Sequence, residues 1–429
     1  MSGLGIPVLE HRLANGLRVV LSPDHTVPVV AVNLWYAVGS RNEVAGQTGF
    51  AHLFEHMMFQ GSAHVPKNRH FELVERAGGT LNATTWFDRT NYFDTLPSHH
   101  LDLALWLESD RMGWMVPALT EETLRNQQAV VMEEKKQRYD NRPYGDWDER
   151  LQRLVFPKGH PYHHKVIGSM EDIGAATLED VRAFFSTYYT PGNAVLTLCG
   201  DFDPDDALGR VDHYFGEIPA APPPPAIPGT SHIPSRIGET VRDLVRDDVP
   251  LPRIYLAGRI PVYSDPGFHA AQLGMSILGE GRASRLFRNL VRGSGVAKDA
   301  GTHAFPLTTG SGMYVAWLTG FHGDEPDALA GHLTSEMEGL VEATEQELDR
   351  VKALASTRML ASIEDVSERA DLLSMFACLF GTAERLNSEM DRLLAVSVED
   401  VRNFGSEYLG EDNRALVIYE PETEDERAA

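Results

Sequence analysis

The chain has 429 residues, 42% of them hydrophobic and 23% charged, and a formal charge of −24. That length exceeds one ordinary hydrophobic core, so two or more domains of an ordinary soluble globular protein are expected. The acidic surface repels polyanions, which excludes non-specific nucleic-acid binding and leaves neutral or cationic ligands.

The N-terminus, MSGLGIPVLEHRL, lacks a basic n-region and a long apolar h-region, and no run approaches 18 apolar residues. No membrane span is expected, and the sequence as given reads as cytoplasmic, or periplasmic if a signal peptide has been removed. Cys199 and Cys378 lie far apart in apolar surroundings, LTLCGDF and MFACLF. They imply no disulfide framework and no cysteine zinc site, and read as buried, inert thiols.

The first elements, GLRVVLSPD and VPVVAVNLWYAVG, read as strands, rich in valine and bounded by Gly, Pro and Asp. The second is almost continuously apolar, as in a strand buried on both faces. GQTGFAHLFEHMMFQG follows, bounded by glycines and long enough for a helix of about three turns. On that helix His52 and His56 stand at i and i+4 on one face, where two imidazoles can bind one Zn²⁺. Glu55 projects to the same side, placed to take a proton from a metal-activated water. The alternative is a half-buried helix with scattered polar residues. It would have to bury two imidazoles and a carboxylate beside Leu53, Phe54, Met57 and Met58, which is costly if they are unpaired.

HLDLALWLESDRMGWM and TEETLRNQQAVVMEEKKQRY read as further helices, the second with Thr120 as N-cap and Glu121 and Glu122 in its first turn. A zinc peptidase needs a third protein ligand and an open fourth position. Glu133 and Glu134 are the best sources. Glu134 shares a face with Leu124, Gln127 and Val131, and Glu133 with Asn126, Ala129 and Val130. The helical face leaves the choice open.

Residues 220–237, AAPPPPAIPGTSHIPSRI, read as a Pro-rich linker. They separate an N-terminal domain (1–219) carrying the metal motif from a C-terminal domain (238–429) without it. The two halves end alike: LEDVRAFFSTYYTPGNAVLTL from Leu178 and VEDVRNFGSEYLGEDNRALVI from Val398 align without a gap at an offset of 220 residues. Glu179/Glu399, Asp180/Asp400, Phe184/Phe404, Tyr188/Tyr408 and Asn193/Asn413 pair at that offset. This is an internal duplication. The expected class is α+β, with two homologous sandwiches of a mixed sheet and packed helices.

H-x-x-E-H reverses the H-E-x-x-H order of thermolysin-like enzymes and marks inverted zincins. Together with GGTLNATTWFDRTNYF, VVMEEKKQRYDNRPYG, FPKGHPYHHKVIGSMEDI and GEGRASRLFRNLVRGSG, in that order, the chain resembles the pitrilysin family of zinc peptidases over nearly its whole length. That family includes insulysin and the mitochondrial processing peptidase.

The resemblance implies that His52, His56 and Glu134 bind one zinc per chain and that Glu55 is the general base. Asn82 and Ala83 match edge-strand positions where substrate backbone adds as an extra strand. Two departures stand out. Gln127 occupies a position where some members carry a supporting Glu. Arg292 matches the family's substrate-holding Arg in the second half, but Asp299 stands at the position of its oxyanion-stabilising Tyr. The resemblance implies a closed chamber of four related domains, hence a dimer. Asp299 points to a heterodimer with a homologous subunit that supplies the Arg/Tyr pair, with a homodimer as the alternative, and with peptides as substrates. A non-catalytic scaffold of the same fold is the rival reading.

Overall fold

Two mixed sheets organise the chain, and the computed structural model describes residues 3–229 and 232–422. The first sheet is built from β1 (Leu9–Arg12), β2 (Arg18–Pro23), β3 (Val29–Tyr36), β4 (Thr80–Thr85), β5 (Thr90–Pro97) and β6 (Ala194–Gly200), in the order β1-β2-β6-β3-β5-β4. The second comprises β7 (Glu239–Asp247), β8 (Arg253–Ile260), β9 (Asp299–Phe305), β10 (Gly312–Thr319) and β11 (Asn413–Pro421), in the order β7-β11-β8-β10-β9. Without β1, the sheets share one plan. A parallel pair, β2/β6 or β7/β11, is followed by three antiparallel pairings.

The duplication read from the sequence extends to single hydrogen bonds. The helices Leu178–Tyr188 and Val398–Tyr408 open with matching capping boxes, Thr177 with Asp180 and Ser397 with Asp400. In each, the hydroxyl accepts from an N–H of the first turn and the Asp carboxylate accepts from the cap's own N–H. At the other end, Asn193 and Asn413 each donate to the last-turn carbonyl, Tyr188 O and Tyr408 O, both at 2.8 Å. The same residues solve the same helix-end problem twice.

The packed units do not follow the chain order. One contains Met1–Glu133, Lys165–Pro228 and Thr357–Asp391; the other contains Glu134–His164, Gly229–Ser356 and Arg392–Ala429. Each sheet therefore borrows a helix from the other half of the sequence. In the first unit, β3 and β6 are buried almost throughout. Ala31, Trp35, Val195 and Cys199 pack against Ala370, Leu373, Phe376 and Ala377 of the Val366–Phe380 helix. In the second unit, the Trp147–Val155 helix lies on β8 and β11. Trp147 stacks on Tyr255 at 4.8 Å, and the Arg259 guanidinium donates to Val155 O at 2.7 Å. A central strand that is apolar on both faces needs two covering layers, and here the second comes from far along the chain.

Cys199 is buried, and burial pushes its thiol up to about 12; Cys378, expected to be buried too, is only half-buried, with its thiol raised by desolvation. No helix among the described residues is long and apolar enough to cross a membrane.

Candidate metal centre

The H-x-x-E-H segment forms the helix Phe50–Met57. Its entry is fixed by Gly49, at φ +89°, where an added Cβ would sit 2.6 Å from Ile167 O, so only glycine fits. The buried Glu43 carboxylate accepts from Gly49 N at 2.9 Å and Ala51 N at 2.8 Å. It satisfies two otherwise orphaned donors and sets a negative charge at the positive end of the helix.

The helix has two faces with two roles. Phe50, Ala51, Leu53, Phe54 and Met57 are buried, with Phe54 against Phe185 and Tyr189 at 5.6 and 4.3 Å between rings. His52, Glu55 and His56 are half-buried on the remaining side, with the imidazole rings 4.8 Å apart. The greasy residues thus serve the core without forcing the polar ones into it.

The helix Glu121–Lys135 supplies the third group. Its buried stripe is Leu124, Gln127, Gln128 and Val131, and Gln128 ties it down by donating to Ile173 O at 2.8 Å and Ala176 O at 3.0 Å. Glu134 continues the 124–127–131 stripe, whereas Glu133 is exposed. Ligand atoms of His52, His56 and Glu134 all lie within 4.8 Å of one another. Four-coordinate zinc with nitrogen and oxygen ligands holds neighbouring donors ~3.3 Å apart, so modest side-chain adjustment closes this set around an ion. Two imidazoles and a carboxylate match the donor set of a catalytic zinc with its fourth position open. Arg138, one turn on, pairs with Glu134 at 2.8 Å.

Glu55 Oε2 accepts a hydrogen bond of 2.5 Å from Thr85 Oγ1, the last residue of β4. This bond joins the motif helix to the edge of the sheet. Among the described residues β4 pairs with β5 alone, in the register Asn82↔Phe93 and Ala83↔Tyr92. Asn82 is exposed, and its Oδ1 accepts from Ala83 N at 2.9 Å. That N–H therefore faces away from β5, towards the open edge. Gln127 is buried two turns before Glu134. Arg292 belongs to the second unit, exposed in the Phe287–Gly293 segment. Asp299 opens β9, 4.0 Å from Arg253.

Sequence reading missed Glu43 and Thr85. An acidic residue upstream of a helix is a common and weak signal, and Thr85 gains its role only through strand–helix packing. It also missed a second, fully buried group: His70, Asp94 and Glu108 have ligand atoms within 4.8 Å of one another. There the Glu108 carboxylate accepts from Arg111, whose guanidinium lies 4.2 Å over the Tyr92 ring. The positive charge is already provided by the protein, and the cluster reads as structural.

Residues 18–156 match the family described as Insulinase (Peptidase family M16), and residues 175–354 match Peptidase M16 inactive domain. The zinc protease PqqE of Helicobacter pylori is 30% identical over 419 residues, covering 95% of this chain and 92% of that protein. The chain belongs to peptidase family M16. A crystal structure of a protease from Helicobacter pylori superposes on this M16 chain with a TM-score of 0.90 at 29% identity, covering 97% of this chain and all of that one. A peptidase M16 inactive domain from Pseudomonas fluorescens shares the fold at 21% identity, with a TM-score of 0.85 over 97% of this chain and 98% of the other. The part of the M16 chain that matches the inactive-domain description holds no H-x-x-E-H.

Proposed function

We propose that this M16 chain is the zinc-bearing subunit of an endopeptidase that cleaves peptides or unfolded polypeptides. The observation that carries the reading is the convergence of His52, His56 and Glu134, with Glu55 on the same helix and tied to an open sheet edge. His52 and His56 from one helix and Glu134 from another would hold the ion. Zinc, when bound, supplies Lewis acidity that polarises a carbonyl and acidifies water. Glu55 takes the proton of the attacking water and delivers it to the leaving amine. Outward-facing backbone groups of β4 align the substrate as an added strand, a mode that reads main chain and tolerates varied side chains. Asp299, a carboxylate beside Arg253, cannot stabilise an oxyanion. A homologous subunit with an Arg/Tyr pair, in a heterodimer, would supply that group.

The test is cleavage of an unfolded polypeptide by the zinc-loaded protein, alone and with such a subunit. Cleavage that needs neither zinc nor Glu55 would sink the mechanism. A scaffold role remains the second reading, because residues 175–354 match an inactive domain. Metal analysis separates the two. The parent is expected to hold about one zinc per chain, and His56→Ala and Glu134→Ala to hold almost none. A parent without zinc, unchanged by these substitutions, favours the scaffold.

Thr85→Val is expected to lower kcat about tenfold, since a hydrogen bond to a charged group contributes on the order of 1.5 kcal/mol. Zinc content should stay unchanged, and Thr85→Ser should restore the rate. Equal rates in the Val variant and the parent would show that the bond does not orient Glu55.

A further inference from the structure

The first sheet carries the motif helix and the Val366–Phe380 helix on opposite faces, and β4 lies at the edge of both. Ala83 and Thr85 share a face with Tyr92, which leads to Tyr189, Phe54 and Glu55. Thr84 pairs across with Asn91, and Asn91 with Trp35, so these side chains point to the other face. On that face lies a cavity of about 180 Å³, lined by Asn33, Thr84, Arg89, Asn91, Ser367, Glu368 and Asp371, among others.

The cavity is built for a cation. Asp371 Oδ1 is held by three donors: Trp35 Nε1 at 2.7 Å, Asn91 Nδ2 at 2.8 Å and Asn33 Nδ2 at 3.3 Å. Oδ2 takes no donor from the described residues, so the carboxylate is fixed in orientation with one oxygen to spare. One turn earlier, Glu368 is exposed and makes no ion pair among the described residues. Arg89, the cation among the described lining residues, is hydrogen-bonded to the sheet, and its charge also acts on Asp371. It donates to Thr84 O and Asn91 Oδ1, both at 2.9 Å, and lies over the Trp35 ring. Two carboxylates against one engaged guanidinium leave a net negative charge.

We propose that this cavity is a side-chain subsite that takes a lysine or arginine of the bound peptide. The proposal rests on strand addition at β4 from the preceding reading. An added strand alternates its side chains between the two faces. One set passes the candidate metal centre, and the other passes the cavity beyond Thr84. The basic residue must therefore have the parity of the side chains that point away from the motif helix. Its neighbours in sequence should show no such preference.

The experiment uses zinc-loaded Glu55→Gln protein, so that peptides bind without turnover. Fluorescein-labelled peptides of neutral, unstructured sequence carry a single Arg, or Gln in its place, moved one position at a time. Binding is read by anisotropy. Arg at one position is expected to tighten binding about tenfold over Gln, the factor that 1.4 kcal/mol gives. Asp371→Asn, which keeps an acceptor for the three donors, and Glu368→Gln should each remove most of that gain. Peptides without Arg should bind both variants as they bind the Glu55→Gln protein.

A gain equal at all positions, or one that survives both substitutions, overturns the subsite in favour of general attraction to an acidic surface. Peptides that bind without any Arg effect overturn the subsite and leave strand addition standing. Failure of every peptide to bind overturns both. Cleavage by the parent protein, measured separately, judges the enzymatic reading by itself.

Discussion

Glu55→Gln is expected to reduce peptide hydrolysis by roughly 100- to 10,000-fold, the range for loss of a positioned general base. Gln keeps the shape and can still meet Thr85 Oγ1, but it cannot take a proton from water. Glu55 is outside the grouping of His52, His56 and Glu134, so the ion should remain. The paired readout is therefore kcat against zinc stoichiometry. A slow variant that has also lost zinc would place Glu55 among the ligands, and a variant as fast as the parent would leave the proton transfer to another group.

The second large effect is expected far from substrate. Glu108, Asp94 and Arg111 are exposed by 0%, 1% and 2%, and Glu108 accepts from Arg111. Arg111→Leu would strand the Glu108 carboxylate in the core. Removing one partner of a buried pair costs about 3–5 kcal/mol, a large share of a typical total stability. A fall of about 10 °C in melting temperature follows. The double variant Glu108→Leu/Arg111→Leu should recover most of the loss, because an apolar pair can replace a buried ion pair at little cost. A single variant melting within about 2 °C of the parent would contradict this account.

The same cluster carries a pH signature. Burial, and next the charge of Glu108, hold the Asp94 carboxyl well above the usual carboxylate range, so the fold keeps its proton to higher pH than the unfolded chain does. The unfolded chain releases that proton above about pH 3.9. From there upward the native state binds more protons, and stability falls as pH rises. Asp94→Asn removes this penalty. Relative to the parent, it should therefore gain stability as pH rises above about 4, as read by denaturant midpoints. His70 acts in the opposite sense. Burial, and next Arg111, hold its imidazole well below its usual range, so it contributes a loss of stability as pH falls through about 6.5.

Much of the candidate site was legible because its residues obey local rules. The i, i+4 spacing of His52 and His56 holds on any helix, and the same periodicity puts Glu55 on their side. The choice between Glu133 and Glu134 was not legible from the helix alone. It depended on which stripe the Glu121–Lys135 helix buries, and the anchoring of Gln128 to Ile173 and Ala176 fixed that. Thr85 and Asp371 were out of reach for the same reason. Each acts on a residue of another element, 30 positions away in the case of Glu55 and Thr85, and 336 in that of Trp35 and Asp371.

By itself, then, the sequence determined what periodicity and side-chain chemistry determine: the duplicated α+β plan, the helix that presents two imidazoles and a carboxylate on one side, and the zinc-peptidase family. The tertiary structure alone decided which sheet edge Glu55 is tied to and which helix covers each sheet, and it placed Glu134, the glutamate the resemblance favours, near the two histidines. Two-sided burial of β3 and β6 demands a second apolar layer, and any helix of suitable face can provide it. The exchange of Trp147–Val155 and Val366–Phe380 between the halves is therefore a packing outcome between distant segments, set by how the apolar faces close over the sheets and not by local pattern.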